Sequence, residues 1–281
     1  MLAKDRRRLA TAAALRIARE LGIDARQPRI LKDSNNTIVH LAPAPVVAKI
    51  GTSHFRDAKL ESLERELAVA THLAERGSPI VGPAPDVDPG PHVREDVTLT
   101  LWRYVEPLRG APVRPAETAL ALRAVHEDLN DFPGSLPLFT LELEDAGRLL
   151  EPDRSPSLAS ADRRFLQGVL DEVQAELSTI PTVNRPLHGS PHEGNWLATN
   201  HGLLLLDFET ACMGPIEWDL AALEDEAVDM FPGVDHELIA LLRRMRSVCV
   251  AAKCWVDPDR APEISEAARV HLRLLRGEPL D

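Results

Sequence analysis

The sequence is poor in several features that mark particular classes of protein. Only 4% of its 281 residues are aromatic, so a buried core must rely on Leu, Ala, Val and Ile. The three cysteines, Cys212, Cys249 and Cys254, are too few and too irregularly spaced for a disulfide framework, a zinc knuckle or a redox pair. They favour buried thiols in a reducing cytoplasm. No apolar run is long enough to span a membrane.

Basic residues are outnumbered as well. The formal net charge is −12, whereas a protein that binds nucleic acid needs a basic surface to neutralise phosphates. The acidic balance is compatible with a cationic substrate, although most acidic proteins are simply soluble. The basic N-terminus resembles a signal peptide, but Arg16 and Arg19 interrupt the apolar run that follows. We therefore expect a cytoplasmic protein that binds neither nucleic acid nor a membrane. The sequence does not indicate its oligomeric state.

The first 105 residues combine helical and β-rich patterns. Leu9, Ala13, Ile17 and Leu21 fall at helical spacing and predict a surface helix. The later patterns predict two antiparallel strands, a long helix and a buried strand, at residues 37–41, 46–50, 60–73 and 98–106. This part therefore reads as a small β-rich lobe.

After residue 105 the patterns become mostly helical. Helices are predicted at residues 116–129 and 160–177 and from Trp218 onward, and a tight turn at residues 200–202 joins two predicted strands, 195–198 and 203–208. The whole predicts an α+β protein in two lobes, with a small β-rich N-lobe at residues 1–105 and a mostly helical C-lobe at 106–281.

Lys49 and Glu66 form the first pair of residues that suggests chemistry. Lys49 lies in VVAKI on the second predicted strand, where a buried ammonium is costly unless it is paired or reaches a ligand. Glu66 borders the apolar face of the next helix, so its carboxylate can pair with Lys49. The alternative is a strand-end lysine whose amine reaches solvent and a glutamate on a solvated helix face.

Asn195 and Asp207 bracket the predicted hairpin. Because the turn brings the two outer ends of a hairpin together, we expect these side chains to lie at the same end. An amide oxygen and a carboxylate there suit a Mg²⁺ ion. Asp207 follows LLLL, where an unpaired carboxylate would be costly to bury. Glu209 is close enough in sequence to contribute, but it can equally face solvent or pair with an arginine.

The stretch LHGSPHEGNWL (187–197), followed by LLLLDFE, resembles the aminoglycoside phosphotransferase and choline kinase-like branch of the protein-kinase fold. The loop of that family commonly reads H-G-D-x-H-x-x-N, and a metal-binding Asp follows on the next strand. His188, Gly189, His192, Asn195 and Asp207 match it here. The resemblance covers most of the chain in colinear order. It implies a bilobal kinase-like fold that binds ATP and Mg²⁺ and phosphorylates a small-molecule substrate.

The same resemblance implies a nucleotide-binding N-lobe. VVAKI matches the strand that carries the phosphate-binding lysine, Lys49, and ERE matches the helix that carries its glutamate partner, Glu66. The polar stretch DSNNT (33–37), with Ser34 and Asn35, occupies the place of a short loop over the phosphates.

Two further segments match the family. TLTLWRYVE takes the place of the hinge strand, where backbone groups around Trp102, Tyr104 and Val105 would bind a purine. In GPIEWDLA, Asp219 corresponds to the aspartate that buttresses the catalytic loop. LRAVHEDL resembles the family's helix with a recurrent Leu–His.

Ser190 departs from the family pattern, because it stands where the family places its catalytic Asp. A serine hydroxyl can hydrogen-bond an acceptor hydroxyl but has no useful basicity at neutral pH. General-base help is worth ~10²–10⁴-fold, whereas most of phosphoryl transfer comes from positioning and charge stabilisation. Ser190, His188 and His192 are the catalytic candidates in this loop.

Several interpretations remain open at this point. In the first, the protein is a small-molecule kinase in which His192, Glu193 or the substrate itself supplies the base. In the second, it is a catalytically weak nucleotide-binding homologue that serves as a sensor or scaffold. In the third, Ser190 is an isolated change in an otherwise ordinary enzyme. An interaction protein without nucleotide forms a further class. The acidic stretch 221–230 is either one wall of an acceptor site for an amine-bearing alcohol or a solvated helix face.

Overall fold

The structure, a computed structural model, describes residues 3–51, 56–94 and 97–279. The chain forms two compact units. The first comprises Met1–Leu136, Pro186–Ala211 and Glu224–Met230, and the second comprises Pro137–Arg185, Cys212–Leu223 and Phe231–Asp281. The division into lobes at residues 105 and 106 stays a prediction.

The first unit is built on a five-stranded antiparallel sheet. Its strands lie in the order β1-β2-β3-β5-β4. Their bounds are Arg29–Asp33 (β1), Asn36–His40 (β2), Val46–Gly51 (β3), His92–Arg94 (β4) and Val97–Arg103 (β5). β2 and β3 agree with the predicted strands to within one residue, since β2 begins at Asn36 rather than Thr37 and β3 continues to Gly51. β5 ends three residues earlier than predicted: the N–H of Tyr104 still donates to the carbonyl oxygen of Pro45 at 2.8 Å, but a proline has no N–H with which to continue the ladder.

Helix α1, Ala3–Glu20, covers one face of this sheet. Its contact stripe consists of Ala10, Ala14, Ile17 and Ala18, which pack against Val46, Ala48 and Ile50 of β3 among others. Leu9 of the predicted stripe is half exposed instead. The reason is that a strict spacing of four residues drifts around a helix with 3.6 residues per turn, so the contact stripe alternates steps of three and four.

Helix α2, Arg56–Glu75, packs against β5, with Leu63, Val69, Ala70 and Leu73 buried. Since successive side chains of a strand point to opposite faces, Lys49 points away from the face that Ala48 and Ile50 present to α1. The alternation in VVAKI therefore separates the apolar core residues from the lysine.

A second β element of the first unit is the short hairpin of β7, Trp196–Thr199, and β8, Gly202–Leu205. Residues 79–81 hold it in place, because Leu205 donates its N–H to Pro79 and accepts one from Val81 at 2.9 and 3.0 Å. Helix α3, Pro115–Leu129, packs against β8 and against the short helix α7, Asp225–Val228. The hairpin was predicted, but β7 begins one residue later and β8 ends three residues earlier than expected, which leaves Asn195 and Asp207 just outside the strands. Strand β6, Arg185–Leu187, precedes the hairpin.

The second unit is mainly helical. Its elements are α4 (Leu141–Leu149), α5 (Ser160–Leu177), β9 (Cys212–Gly214), α6 (Ile216–Leu220), α8 (His236–Cys254) and α9 (Pro262–Arg276). Helix α8 packs against α4, α5, α6 and α9. Asp235 caps its N-terminus by accepting hydrogen bonds from the N–H groups of Glu237 and Leu238.

The predicted fold class, α+β with a small antiparallel sheet near the N-terminus and a helical C-terminal part, is confirmed. Strands β1 and β4 and helix α4 were not predicted, because β1 is largely solvent-exposed, β4 has only three residues and α4 is short. Within the described ranges, no helix combines the length and apolar composition that crossing a membrane requires.

Asp33, the last residue of β1, anchors α1 to the sheet. Its buried carboxylate accepts two hydrogen bonds from Arg6, at 3.0 and 2.9 Å, one from Arg7 at 2.8 Å and one from Thr37 at 2.8 Å. Burial opposes ionisation, but these donors outweigh it and lower the pKa of Asp33 from 3.8 to about 2.

We expect Asp33 to link stability to acid pH. Between pH 4 and 2 the unfolded chain holds more protons at this residue than the folded chain does. The contribution of about 2 kcal/mol is therefore complete above pH 4 and disappears as the pH falls towards 2. Urea unfolding of Asp33→Asn should show lower stability at pH 6 and a flatter decline below pH 4. Asp24→Asn, which removes the exposed pair with Arg26, should change stability by less than about 1 kcal/mol. Equal acid declines in wild type and Asp33→Asn would contradict the assignment.

Candidate functional site

The candidate site lies in the first unit, around the buried ammonium of Lys49. The Nζ atom of Lys49 donates to both carboxylate oxygens of Glu66, at 2.7 and 2.8 Å. It also lies 2.9 Å from Oδ1 of Asp207 and 2.6 Å from Oε1 of Glu209. One cation thus faces three carboxylates, whose oxygens lie within 4.8 Å of one another.

The electrostatics follow from this imbalance. Burial works against the charged form of Lys49, but Asp207, Glu209 and Glu66 outweigh it and hold its pKa well above 10.5. Burial raises the pKa of Glu66, Lys49 opposes the rise, and the carboxylates of Asp207 and Glu209 add to it. The site therefore carries more negative charge than its lysine offsets, and additional positive charge would stabilise it.

The secondary structure explains why Lys49 and Glu66 meet. Lys49 sits in the middle of β3, on the face opposite α1, and Glu66 lies between the buried residues Leu63 and Ala70 of α2. Only 1% of Glu66 is exposed, so it belongs to the buried face of the helix rather than to its border. The predicted pair is present, and the alternative of a solvated lysine is excluded by its 6% exposure.

Asp207 and Glu209 reach the lysine from the loop after β8. Asp207 adopts a left-handed backbone conformation, with φ 70°, which is uncommon for a residue other than glycine. Glu209 is held from two sides: Arg65 of α2 donates to its backbone oxygen at 2.7 Å, and the side chain of Asn36 donates to its Oε1 at 2.8 Å. The open question about Glu209 is thereby answered, because its carboxylate faces Lys49.

Asn36 is a site residue that the sequence analysis did not select. It opens β2, only 8% of it is exposed, and its Nδ2 atom is used for the bond to Glu209. Its Oδ1 atom is buried and has no hydrogen-bond partner among the described residues. Nothing in the stretch DSNNT distinguishes Asn36 from Asn35 by pattern alone. The distinguishing signal is the position in β2, which becomes visible only once the strand boundary is known.

Hydrogen bonds between side chains and backbone groups hold the loop 188–195 in place. The Nδ1 atom of His188 accepts from the N–H of Ser190 at 3.0 Å, and its Nε2 atom donates to the backbone oxygen of Leu206 at 3.0 Å. The backbone oxygen of Ser190 accepts from the N–H of His192 and from Nδ2 of Asn195, both at 2.9 Å. His192 is exposed, and its Nδ1 accepts from the N–H of Gly194.

The loop also brings Asn195 beside the loop of Asp207. Asn195 ends a short 3₁₀ turn, Glu193–Asn195, and its backbone oxygen accepts from the N–H of Leu206 at 2.9 Å. The two predicted metal ligands therefore lie on adjacent segments at the same end of the hairpin, as predicted, although both are outside its strands.

Gly189 sets the path of the loop. Its φ of +89° is one that residues with a side chain rarely adopt, and an added Cβ atom would overlap the backbone oxygen of Thr210. The ring of Phe208 packs against that of His188 at a centroid distance of 4.6 Å. The loop 188–195 and the residues after Asp207 are therefore in close contact.

The hinge candidates lie at the end of β5. Trp102 is buried and donates its indole N–H to Thr100 at 2.8 Å. The N–H groups of Arg103 and Tyr104 donate to the backbone oxygens of Gly82 and Pro45, at 3.1 and 2.8 Å. Val105 has no backbone hydrogen bond among the described residues. The Tyr104 ring stacks on that of His40, with centroids 3.7 Å apart.

The remaining candidates lie in separate places. Ser34 and Asn35 form the turn between β1 and β2, where the N–H of Ser34 donates to the backbone oxygen of Asn36. The first unit thus brings Lys49, Glu66 and Asp207 into contact. Asp219 is buried in α6 of the second unit.

Comparison with models of known protein families identifies the family of the chain. Residues 19–235 match the model of the phosphotransferase enzyme family, so the chain belongs to that family. None of the curated proteins matches the chain.

Solved structures show the same fold at low sequence identity. Choline kinase LicA from Streptococcus pneumoniae is 15% identical, with a TM-score of 0.65 over 96% of this chain and 99% of that one. The AMP-bound spectinomycin phosphotransferase APH(9)-Ia is 10% identical, with a TM-score of 0.66 over 96% and 99%. The amicoumacin kinase hAmiN, in complex with AMP-PNP and Ca²⁺, is 12% identical, with a TM-score of 0.63 over 96% and 95%. The protein-kinase-like fold expected from the sequence is therefore confirmed.

Gly189→Ala should destabilise the protein strongly. An alanine is strained in this left-handed conformation, and its Cβ atom would also displace the backbone of Thr210. We therefore expect the free energy of unfolding to fall by at least roughly 3 kcal/mol. Gly110→Ala is the matched control, because Gly110 also has a positive φ, 73°, but no atom lies within 4 Å of its added Cβ. Its loss should be only about 1 kcal/mol. Equal losses in the two variants, measured by urea unfolding, would show that Thr210 does not constrain position 189.

Proposed function

We propose that the chain transfers a phosphoryl group from ATP to a hydroxyl of a small molecule. The observation that carries this proposal is the arrangement of Lys49, Glu66, Asp207 and Glu209 in a chain of the phosphotransferase enzyme family. A paired lysine supplies a fixed cation for phosphates, and surplus carboxylates supply ligands for a divalent cation.

The residues present fit a magnesium ion. The donors are oxygens, which Mg²⁺ prefers, and three carboxylates surround a single ammonium. We assign Asn195 and Asp207 as its ligands, with Glu209 beside them. A bound Mg²⁺ would supply positive charge that offsets the charge on phosphate oxygens.

Lys49 is the proposed contact for the nucleotide phosphates. Glu66 holds its ammonium with two hydrogen bonds, so the lysine is oriented before any ligand arrives. The turn at Ser34 and Asn35 is the proposed cover of the phosphates, since it immediately precedes Asn36, which contacts the same carboxylate as Lys49.

Purine recognition is assigned to the segment after β5. Because the N–H groups of Arg103 and Tyr104 are already used, we assign the donor to the N–H of Val105 and the acceptors to backbone oxygens from Trp102 to Val105. The apolar Trp102 is buried behind this segment. The hydrogen bonds of Arg103 and Tyr104 support Val105 as the proposed donor.

In the proposed catalytic loop, hydrogen bonds suggest which residues hold the loop and which residue contacts the substrate. Both ring nitrogens of His188 bond to backbone groups, so we assign it as a positioning residue in its neutral form. Ser190 is proposed to orient the acceptor hydroxyl, because its own hydroxyl can donate or accept a hydrogen bond but cannot readily take a proton. His192 is exposed and caps the 3₁₀ turn. We place phosphoryl transfer mainly under positioning and charge stabilisation, with little help from a general base.

The acceptor is proposed to be an amine-bearing alcohol. Choline kinase, spectinomycin phosphotransferase and amicoumacin kinase share the fold, and each acts on a small molecule. In the first unit, α7 and the residue before it place Glu224, Asp225 and Glu226 together at the surface. These carboxylates are the proposed partners of an acceptor amine.

Binding of Mg·ATP should raise the midpoint of thermal unfolding. At a concentration 100 times the dissociation constant the gain is about 2.7 kcal/mol, which corresponds to several degrees. Lys49→Met should lose most of this shift, whereas Arg26→Met, at an exposed ion pair, should keep it. The comparison uses the nucleotide-induced shift of each variant, so its own stability is subtracted. A wild-type protein that shows no shift would favour an interaction protein without nucleotide.

Ser190→Asp should accelerate phosphoryl transfer. The new carboxylate supplies a base, worth ~10²–10⁴-fold for an acceptor without its own base. Release of ADP with a panel of alcohols that includes choline and spectinomycin measures the effect, and Ser190→Ala serves as control. A decrease in Ser190→Asp would mean that the serine loop is adapted to this chain's substrate. Nucleotide binding without transfer in both proteins would point instead to a sensor or scaffold.

A further inference from the structure

We propose that Asn36 is a positioning residue of the cation site, where its amide nitrogen holds Glu209 and its amide oxygen accepts a hydrogen bond from a cation-bound water. This inference rests on the proposed function, because it needs a divalent cation beside Asp207. It concerns a residue outside the two predicted ligands.

The starting point is an unsatisfied atom. Asn36 is more than nine-tenths buried, and its Oδ1 atom has no hydrogen-bond partner among the residues that the structure describes. Buried polar atoms almost always have a partner, because leaving one without a partner costs stability. An orphaned oxygen beside an acidic site is therefore a sign that something absent from the protein alone completes it.

The orientation of the amide follows from its neighbour. Nδ2 lies 2.8 Å from Oε1 of Glu209, and a carboxylate oxygen accepts but does not donate. Rotating the amide by half a turn would place two acceptors against each other. The nitrogen must therefore face Glu209, which leaves Oδ1 as the atom that needs a donor.

Among the described residues, the cationic side chains that contact Glu209, Lys49 and Arg65, are already occupied. Lys49 lies within hydrogen-bond distance of oxygens from Glu66, Asp207 and Glu209, which is as many partners as an ammonium has protons. Arg65 donates through Nε and Nη2 to the backbone oxygen of Glu209. The missing donor for Asn36 is therefore assigned to water.

A cation explains why this water would be held firmly. Mg²⁺ gives up its hydration water reluctantly and usually keeps several water ligands. Groups that bond to the ligands of a metal orient those ligands and tune its affinity. Asn36 would do both, since one amide atom holds the Glu209 carboxylate and the other accepts from a water ligand.

The position of Asn36 in the chain adds a further consequence. It is the first residue of β2 and follows the turn of Ser34 and Asn35 directly. A single side chain thus connects that turn to the loop of Asp207 and Glu209. Occupation of the cation site should therefore also order the turn.

The test measures cation affinity directly. Binding of Mn²⁺ in the presence of ADP is followed by the loss of the free-ion signal in electron paramagnetic resonance. Asn36→Leu, which has a similar volume without the amide, should weaken Mn²⁺ binding ~10–100-fold. It should not lower the unfolding midpoint of the cation-free protein. The variant loses the hydrogen bond to Glu209, but it also removes the buried, unsatisfied Oδ1 atom, and the two effects offset each other. Asn130→Leu, at an exposed position, is the control and should leave both quantities unchanged.

Other variants keep the outcome interpretable. Asp207→Asn should abolish tight Mn²⁺ binding, so that the free-ion signal persists, and this result would show that the binding occurs at this site. Asn36→Asp keeps an acceptor oxygen but loses the donor to Glu209, so it should bind Mn²⁺ more tightly than Asn36→Leu while lowering the cation-free midpoint. It also provides the measurement if Asn36→Leu does not fold.

Each outcome bears on one hypothesis. Unchanged Mn²⁺ affinity in Asn36→Leu, together with a lowered cation-free midpoint, would overturn the inference and make Asn36 a purely structural residue that an ordinary water completes. A wild-type protein that binds no Mn²⁺ with ADP would overturn the proposed function instead.

Discussion

A buried ammonium surrounded by three carboxylates is the interaction on which the candidate site depends. Lys49 comes from the sheet, Glu66 from α2, and Asp207 and Glu209 from the loop after the hairpin. Each of these elements is brought into place by ordinary packing: α1 covers one face of the sheet, and Leu63 and Ala70 bury α2. The carboxylates would repel one another strongly without the lysine, so the charge of Lys49 is what allows the three elements to meet.

The contact of Lys49 with Glu66 could be predicted from the sequence, because both residues lie in regular elements with clear periodicity. The alternation in VVAKI placed Lys49 apart from the apolar core, and the helical spacing around Glu66 brought that residue to the sheet. The turn at residues 200–202 was enough to bring Asn195 and the loop of Asp207 together. Their roles towards a nucleotide and a metal stay predictions.

The features that the sequence did not predict depend on contacts between segments far apart in the chain. Asn36 meets Glu209 across 173 positions, and Arg65 meets the same residue across 144. No local pattern distinguishes Asn36 from Asn35 or shows that the N–H groups of the hinge are already used. Strand ends were also misplaced by one to three residues, because pairing with a neighbouring strand, rather than side-chain type, decides how far a strand extends.

The backbone path of the loop 188–195 has a consequence for how such an enzyme diversifies. Gly189 fixes the path by its left-handed conformation, and Ser190 contributes its main-chain N–H and oxygen to the bonds with His188, His192 and Asn195. These bonds are common to every amino acid except proline, which lacks the N–H. The main-chain bonds that shape this loop therefore do not depend on which side chain stands at position 190, so evolution can vary that side chain while the same hydrogen bonds hold the backbone.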